Sequence, residues 1–224
     1  MLKIQDHRVR VAASRREEMR NALLFSVLVL ASDKSIHEID VEDIINHAQV
    51  SRGSFYKYFP SVQASVLTLA NELASEFTTE TDAITHQIPD TAIRLITTAK
   101  LTMRLLVKNP LLGNFFIQLP WPSPEVNVFK NISSDVELGI KEGLFKKIPT
   151  SIGCNLMVGS LIAGVHTMLS KPASVSYGDK VLYQVLMGLG LHAKTADDLL
   201  KTPLPSLPKL PATGLLGKIA GMHS

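Results

Sequence analysis

The sequence predicts an all-α protein in which a small N-terminal helical unit precedes a larger helical domain. Apolar residues recur at helical spacing along most of the 224 residues. No segment shows the alternation of apolar and polar residues that marks a half-buried strand. Prolines and Asn–Pro or Pro–Ser steps separate the helical patterns. With 46% hydrophobic residues, the chain is long and apolar enough for a substantial helical core.

A first short helix is predicted from Val41 to Ala48. Within it Ile44 and Ile45 continue one apolar face at helical spacing. Asp40 stands directly before this pattern, and its carboxylate can accept hydrogen bonds from the free N–H groups of the first turn. The two acids that follow suit the positive end of the helix dipole. These features predict an amphipathic helix with a defined start.

A second short helix follows after a turn, and its composition indicates contact with DNA. Val50 is an isolated apolar residue in the turn, and the side chains that follow are small, hydroxylic or basic. Such a helix suits the major groove, where small residues let the backbone approach and Arg, Lys, Ser and Tyr reach phosphates and base edges. Phe55 supplies an apolar anchor, and Pro60 ends the helix. The residues predicted to contact DNA are Ser51, Arg52, Gly53, Ser54, Tyr56, Lys57 and Tyr58.

The string VEDIINHAQVSRGSFYKYFPS, residues 41–61, resembles the DNA-binding domain of the TetR family of bacterial transcriptional regulators. Order, spacing and the aromatic cluster agree with that family. The matching positions are Val41, Ile44, Ala48, Val50, Ser51, Arg52, Gly53, Ser54, Phe55, Tyr56, Tyr58, Phe59, Pro60 and Ser61.

Three departures from the family pattern bear on the turn and on one DNA contact. Gln49 stands where a turn glycine is common, and residues 62–64 replace the usual lysine–acid pair. Asp40 occupies a position where Thr or Ser often caps the helix and touches a phosphate. An acid there would repel a DNA phosphate instead of binding it.

Charge gives a local rather than a global indication of nucleic-acid binding. The net charge is only +3, but residues 1–20 hold six basic residues against three acidic ones. This N-terminal arm could follow phosphates or enter the minor groove, or it could be a flexible solvated tail. Residues 33–43 are acidic, which favours a small and focused DNA footprint.

The predicted organisation has three parts. Residues 1–60 form the helix-turn-helix domain with its basic arm, and residues 61–201 form a helical domain for effector binding and dimerisation. A helix from Ser61 to about His86 connects them. Residues 202–224 carry four prolines between 203 and 211, which predicts an extended, mobile tail. Residues 215–222 could form a short amphipathic turn on a partner.

The resemblance implies that the C-terminal helices form a dimer and enclose a small-molecule pocket. Small residues in the apolar segments 151–169 and 178–191 would allow two helices from each chain to pack closely as a four-helix homodimer core. Apolar and aromatic side chains are the usual lining of such pockets, and the scarcity of charge between Thr102 and Phe129 suggests an apolar or weakly polar effector. The predicted pocket residues are Met103, Leu106, Phe115, Phe116, Trp121, Phe129, Met157 and His166.

The expected function is a transcriptional regulator that reads a palindromic double-stranded DNA operator as a homodimer. In the TetR family a bound effector usually relieves repression, because the two recognition helices no longer fit both half-sites. Activation, or loss of the ligand response, stays open. The alternative is a helical protein that binds a lipid-like small molecule without sequence-specific DNA binding, which the acidic residues 33–43 would favour.

Other classes of protein find little support in the sequence. Cys154 and His166 would lie about 18 Å apart on one helix, so they cannot form a catalytic dyad within a chain. One cysteine excludes an internal disulfide, no metal-ligand spacing occurs, and no cofactor is expected. The uncharged segment 151–169 is long enough to span a membrane, but its polar residues favour burial in a bundle. Without a signal-peptide pattern, a bacterial cytoplasmic location is expected.

Overall fold

The computed structural model describes residues 2–119, 130–171, 176–207, 210–211 and 213–222. These residues contain no β-strand, which confirms the predicted all-α class. A 3-10 helix, Ile36–Glu38, separates the first two α-helices. The α-helices in the described residues are α1 (Leu2–Asp33), α2 (Val41–Ala48), α3 (Arg52–Tyr56), α4 (Val62–Thr85), α5 (Thr91–Lys108), α6 (Pro110–Ile117), α7 (Lys130–Lys141), α8 (Thr150–Ser170), α9 (Ser176–Gly188), α10 (Ala193–Lys201) and α11 (Gly214–Met222).

Helix α1 includes the basic N-terminal arm, because the helix begins at Leu2. Its C-terminal half is amphipathic and buries Leu23, Leu24, Val27 and Leu28 completely. Residues 12–18 are exposed instead. The arm is therefore a helical extension, in contrast to the flexible tail that the sequence left open.

The N-terminal unit packs around Phe55, which is fully buried. Ile44 of α2 and Leu24 of α1 share the same core. Burial of a side chain as large as Phe stabilises a fold by roughly 1.5–3 kcal/mol. Helix α3 has only five residues and buries Phe55 alone, so it owes its position to this anchor rather than to helix propensity, which is weak at such length.

Helix α4 connects the N-terminal unit to the rest of the chain. Val66, Leu69 and Leu73 lie on its buried face. Near its middle, Glu72 forms an ion pair with Arg20 of α1. The hydrogen bond and charge of Glu72 raise the pKa of Arg20. The buried apolar side chains on both sides of α4 belong to one continuous core.

The C-terminal domain is built around α8, which packs against α5, α6, α7 and α9. Among the described residues, α8 alone is long and apolar enough to cross a membrane by length and composition. Cys154, Met157, Leu161 and Val165 on its inner face are buried against the neighbouring helices. Helix α8 therefore has the place of an inner helix of a bundle, as the sequence favours.

A buried lysine joins three helices of this domain. Lys100 of α5 is only 7% exposed. Its ammonium donates a 2.8 Å hydrogen bond to the carbonyl of Leu200 and lies 3.1 Å from a carboxylate oxygen of Asp179. A charge so deeply buried is tolerated only when it is paired and hydrogen-bonded. Lys100 thus ties α5 to α9 and α10.

The C-terminal segment differs from the extended tail predicted from its prolines. Residues 203–207 and 210–211 form no helix, but residues 214–222 form helix α11, which packs on α4 and α1. Leu215, Leu216 and Ile219 are at most 1% exposed. The prediction of a mobile tail is wrong for this helix, because three apolar side chains at helical spacing find an apolar surface within the same chain.

Candidate functional site

Helix α2 begins with two reciprocal hydrogen bonds. The carboxylate of Asp40 accepts from the N–H of Asp43, and the carboxylate of Asp43 accepts from the N–H of Asp40, both at 2.9 Å. The Asp40 N–H and the bonded Lys34 ammonium hold the pKa of Asp43 below its usual value. Asp40 therefore acts as the N-cap that the sequence predicts, with its carboxylate turned toward its own helix.

The turn between α2 and α3 contains a left-handed residue that is not glycine. Gln49 has φ 55° and ψ 46°, a conformation that costs an L-residue roughly 1–2 kcal/mol. The turn is closed by hydrogen bonds from the N–H of Gln49 to Asn46 and from the N–H of Val50 to Ile45. The departure from the family glycine therefore falls at the position where glycine would relieve strain.

Helix α3 begins at a serine cap. The Ser51 hydroxyl accepts from the N–H of Ser54 at 3.2 Å, and the two hydroxyls lie 2.9 Å apart. The ring of Phe55 points into the core and contacts Tyr56 edge-to-face and Phe59 at a tilt. The aromatic cluster thus fixes the buried side of α3 and leaves its opposite side free to face a partner.

The seven predicted DNA-contacting residues lie together on α3 and the residues that flank it. Two of them, Ser54 and Tyr58, are half-buried. The exposed members of the set are Ser51, Arg52, Gly53, Tyr56 and Lys57. Their common exposed face is small, in agreement with the focused footprint expected from the charge distribution.

Arg52 is held on this face by two neighbours. Its guanidinium forms an ion pair with Glu42 of α2 and lies 5.9 Å from the centroid of the Tyr56 ring. The hydrogen bond to Tyr56 and the charge of Glu42 raise the pKa of Arg52. A phosphate group would compete with Glu42 for the same guanidinium, because both are bound by charge-assisted hydrogen bonds.

A side-chain bridge from the C-terminal domain reaches the start of the helix-turn-helix. The Gln118 side-chain oxygen accepts from the N–H of Ile36 at 2.9 Å, and its nitrogen donates to the carbonyl of Ala31 at 2.7 Å. Sequence reasoning missed Gln118, because a glutamine at the end of a short apolar helix carries no local signal for a partner 82 residues away.

An apolar cavity of about 20 Å³ lies between α4, α5, α6 and α11. A volume of this size holds about one water molecule. The one polar residue of its lining, Thr102, donates its hydroxyl hydrogen bond to the carbonyl of Thr98 in the preceding turn. The lining residues are Leu73, Ala74, Phe77, Thr102, Leu105, Leu106, Leu112, Phe116 and Leu216.

The predicted pocket residues fall in three places. Leu106 and Phe116 line this cavity. The buried residues Met103, Phe115 and Met157 lie in the core outside its lining. His166 is exposed on the outer face of α8, away from the cavity lining, because the register of the helix turns it outward. Trp121 and Phe129 lie outside the described residues.

Cys154 and His166 lie on different sides of α8. Cys154 is buried and its sulfur lies 4.0 Å from the carbonyl of Ser133, whereas His166 is exposed. This arrangement agrees with the interpretation of Cys154 as a small core residue. In the described residues, no cluster of three or more His, Cys, Asp or Glu side chains could hold a metal ion.

Comparison with known proteins places the helix-turn-helix in a family. Residues 28–64 match the family model described as bacterial regulatory proteins, tetR family. No curated protein sequence matches the chain.

Solved structures share the fold over most of the chain. The chain is similar to RolR in complex with resorcinol, with 23% identity and a TM-score of 0.69, over 87% of this chain and 99% of that chain. It also resembles a tetR family transcription regulator from Shewanella sp. PV-4, with 17% identity and a TM-score of 0.67, over 78% and 99% of the two chains. The regulator FadR from Bacillus subtilis, in complex with stearoyl-CoA, matches with 16% identity and a TM-score of 0.58, over 76% and 98%.

These comparisons confirm the predicted all-α fold class and the predicted TetR-type helix-turn-helix. The helix-turn-helix match lies within the unit formed by α1 to α4, and the fold likeness extends through the C-terminal helices. The chain carries the N-terminal domain of the TetR family of bacterial regulatory proteins and has the fold of solved regulators of that family.

Proposed function

We propose that the chain is a DNA-binding transcriptional repressor that a small apolar or weakly polar effector releases from a palindromic operator. The observation that carries this proposal is the exposed face of α3, where Arg52, Tyr56 and Lys57 stand opposite the buried ring of Phe55. A helix that is anchored by its buried face and carries basic and hydroxylic side chains on its exposed face can contact bases and phosphates in a major groove.

A homodimer would place two such helices on one DNA duplex. The outer faces of α8 and α9 carry exposed apolar side chains, with Ile152 54% exposed and Met187 37% exposed. Gly159 lies on α8 about two turns after Ile152, and nothing stands within 4 Å of the position where its Cβ would be. An apolar face with a small residue at its middle suits close helix packing against a second copy. Two half-sites about one helical turn apart could then be bound together.

The effector would bind at the apolar cavity between α4, α5 and α6. RolR in complex with resorcinol and FadR in complex with stearoyl-CoA have ligands with aromatic or acyl portions, and the cavity here has no charged residue in its lining. At about 20 Å³ it is too small for such a molecule, so a ligand must enlarge it. Leu73 and Phe77 of α4 form part of its wall, and enlargement would therefore displace the connecting helix.

Movement of α4 would reach the DNA-binding unit through two contacts. The Arg20–Glu72 ion pair joins α4 to α1, and Gln118 joins the end of α6 to the residues before α2. A shift of these contacts changes the orientation of α3 in each protomer. The dimer then engages only one half-site at a time, and its affinity for the operator falls.

The decisive experiment is capture of operator DNA. Purified protein would be incubated with fragmented genomic DNA of its host at about physiological salt, and the retained fragments sequenced. We expect a few palindromic sites that are lost with Arg52→Ala or Tyr56→Ala but kept with Lys194→Ala, a surface control on α10. A folded dimer that enriches no site, with or without cell extract as a source of effector, contradicts the proposal. Regulation of this kind would take place in the bacterial cytoplasm, on the nucleoid.

A second candidate function is a small-molecule binder without sequence-specific DNA binding. The ion pair between Glu42 and Arg52 favours this second function, because the Glu42 carboxylate already binds the guanidinium that a DNA phosphate would need. Salt dependence separates the two functions. A DNA-binding regulator loses affinity steeply as salt rises, in proportion to its phosphate contacts, whereas a binder of neutral ligands shows no such loss.

A further inference from the structure

Helix α11 closes the apolar cavity from outside the C-terminal domain. Leu216, which is 1% exposed, is the residue of α11 in the cavity lining. The rest of the wall comes from α4, α5 and α6, including Phe77 and Phe116. Without α11 the cavity would open to solvent on the side of α4. The segment predicted to be a tail is therefore part of the wall of the candidate effector site.

The N-terminus of α11 is held by a single acidic side chain. The two carboxylate oxygens of Glu76 accept hydrogen bonds from the N–H groups of Leu215 and Leu216, at 3.0 and 2.9 Å. Gly214 has φ +76°, and a Cβ at this position would lie 2.6 Å from a Glu76 carboxylate oxygen. Only glycine fits here, because the position needs both a left-handed backbone and close approach to the carboxylate.

Helix α11 also touches the DNA-binding unit. The ammonium of Lys218 lies 5.9 Å from the centroid of the Phe25 ring on α1, and α11 packs on both α1 and α4. Its neighbours are thus the connecting helix and the first helix of the N-terminal unit. A change in the docking of α11 would therefore alter the packing of both α4 and α1.

Helix α11 depends on its docking for its stability. It has nine residues, and helices shorter than about 12 residues are marginal in water without tertiary packing. In the part of this connection that the structure describes, residues 202–207 and 210–211 form no helix. A short helix that is stable only while docked can open locally before the rest of a fold.

We propose that α11 is a displaceable plug of the effector site, and that an uncharged, apolar effector binds by driving Leu216 out of the cavity wall. This inference rests on the proposed function for the identity of the site as an effector site. Departure of α11 enlarges the cavity and removes the Lys218–Phe25 contact in the same step, which couples occupancy of the site to the position of α1. In the absence of effector, the docked helix keeps the site closed.

The test uses the full chain and the uncharged fluorescent probe N-phenyl-1-naphthylamine. Gly214→Ala disturbs the start of α11, whereas Gly221→Ala on the same helix is the matched control, since nothing lies within 4 Å of its added Cβ. We expect Gly214→Ala to bind the probe about tenfold more tightly than the wild type, because apparent affinity falls with the fraction of molecules in the open form. Gly221→Ala should bind no more tightly than the wild type, because alanine favours the helix over glycine. Equal affinities in all three folded proteins would overturn the proposal.

Hydrogen exchange on the wild-type chain gives a second measurement that needs no variant. A saturating amount of the probe should speed amide exchange at Leu215 and Leu216, whose N–H groups Glu76 holds. Slower or unchanged exchange there would show that the ligand binds with α11 in place, and would refute the plug. Both measurements are made without DNA. Failure of operator capture with successful probe results therefore rejects only the regulator function, and the reverse result rejects only the plug.

Discussion

The side-chain oxygen of Gln118 accepts a 2.9 Å hydrogen bond from the backbone N–H of Ile36. This contact joins the end of α6, a wall of the apolar cavity, to the 3-10 helix that precedes the helix-turn-helix. The amide nitrogen of the same residue donates to the carbonyls of Ala31 and Asn114. One half-buried side chain thus satisfies backbone groups on both sides of the junction between the two domains.

Replacement of Gln118 by Leu should destabilise this junction. The N–H of Ile36, a buried residue, would lose its partner, and an unsatisfied buried donor costs about 1–3 kcal/mol. Urea unfolding measures the change in the free energy of unfolding. Gln87→Leu, at an exposed position after α4, is the control and should change it by less than about 0.5 kcal/mol. Equal effects of the two substitutions would show that the bridge has no energetic role.

Arg52→Ala should lower both the affinity for the operator and its dependence on salt. Each lost phosphate contact reduces the slope of log K against log salt by about one. Fluorescence anisotropy with labelled operator, at several KCl concentrations, measures both quantities. Lys194→Ala on α10 should leave both unchanged. An unaltered slope with weaker binding would instead assign Arg52 to a base edge.

Ile152→Glu should weaken dimerisation while leaving each chain folded. Burial of an unpaired carboxylate in an apolar helix interface costs several kcal/mol, so the dimer dissociation constant should rise by about 100-fold or more. Sedimentation equilibrium gives the constant, and circular dichroism checks the fold. Val9→Glu places the same charge on another exposed apolar residue, 64% exposed on α1, and should not change the assembly. A dimer that tolerates Ile152→Glu must use another face.

Asp43 should make stability depend on pH in the acid range. Its pKa lies below the ordinary value because the N–H of Asp40 and the ammonium of Lys34 bond its carboxylate. The stabilisation is therefore complete above the ordinary pKa and is lost as pH falls through the lowered native pKa. The difference in free energy of unfolding between the wild type and Asp43→Asn should be largest near neutral pH and shrink on acidification. Asp33→Asn, at an exposed position, is the control; a difference that grows on acidification would contradict this account.

Gln49→Gly should stabilise the helix-turn-helix. Glycine relieves a left-handed conformation that costs roughly 1–2 kcal/mol, but it also loses roughly 0.5–1 kcal/mol through the greater freedom of the unfolded chain. The expected net gain in the free energy of unfolding is therefore at most about 1.5 kcal/mol. Gln49→Ala keeps the Cβ and should bring no gain. Equal effects of Gly and Ala would show that the conformation carries no strain.

The structural roles that the sequence predicts correctly are those that depend on residues nearby in the chain. Asp40 and Ser51 cap the helices predicted for them, and Phe55 is the predicted buried anchor of α3. Caps, turns and apolar spacing depend on residues that are close in sequence, so they can be predicted without knowledge of the tertiary structure. The DNA contacts of the exposed residues stay a prediction, because an exposed side chain shows only that it is accessible.

The lining of the cavity is harder to predict from sequence than the helix caps, because it combines residues from distant parts of the chain. His166 is a polar residue in an apolar segment, which suggested a place in the pocket, yet the register of α8 turns its side chain outward. Leu216 follows a proline-rich segment that predicts disorder, yet it closes the cavity. Gln118 and Glu76 also find backbone partners far along the sequence, at separations of 82 and 139 residues.

The sequence by itself determined the all-α class, the helix-turn-helix and the family resemblance, because these follow from helical periodicity, capping and a local motif. Tertiary structure decided which face of α8 is buried, how Gln118 joins the two domains, and that the last helix packs against α4. The physical reason is that a helix needs an apolar partner surface to be stable. Which surface it finds depends on the packing of the whole chain rather than on its own residues.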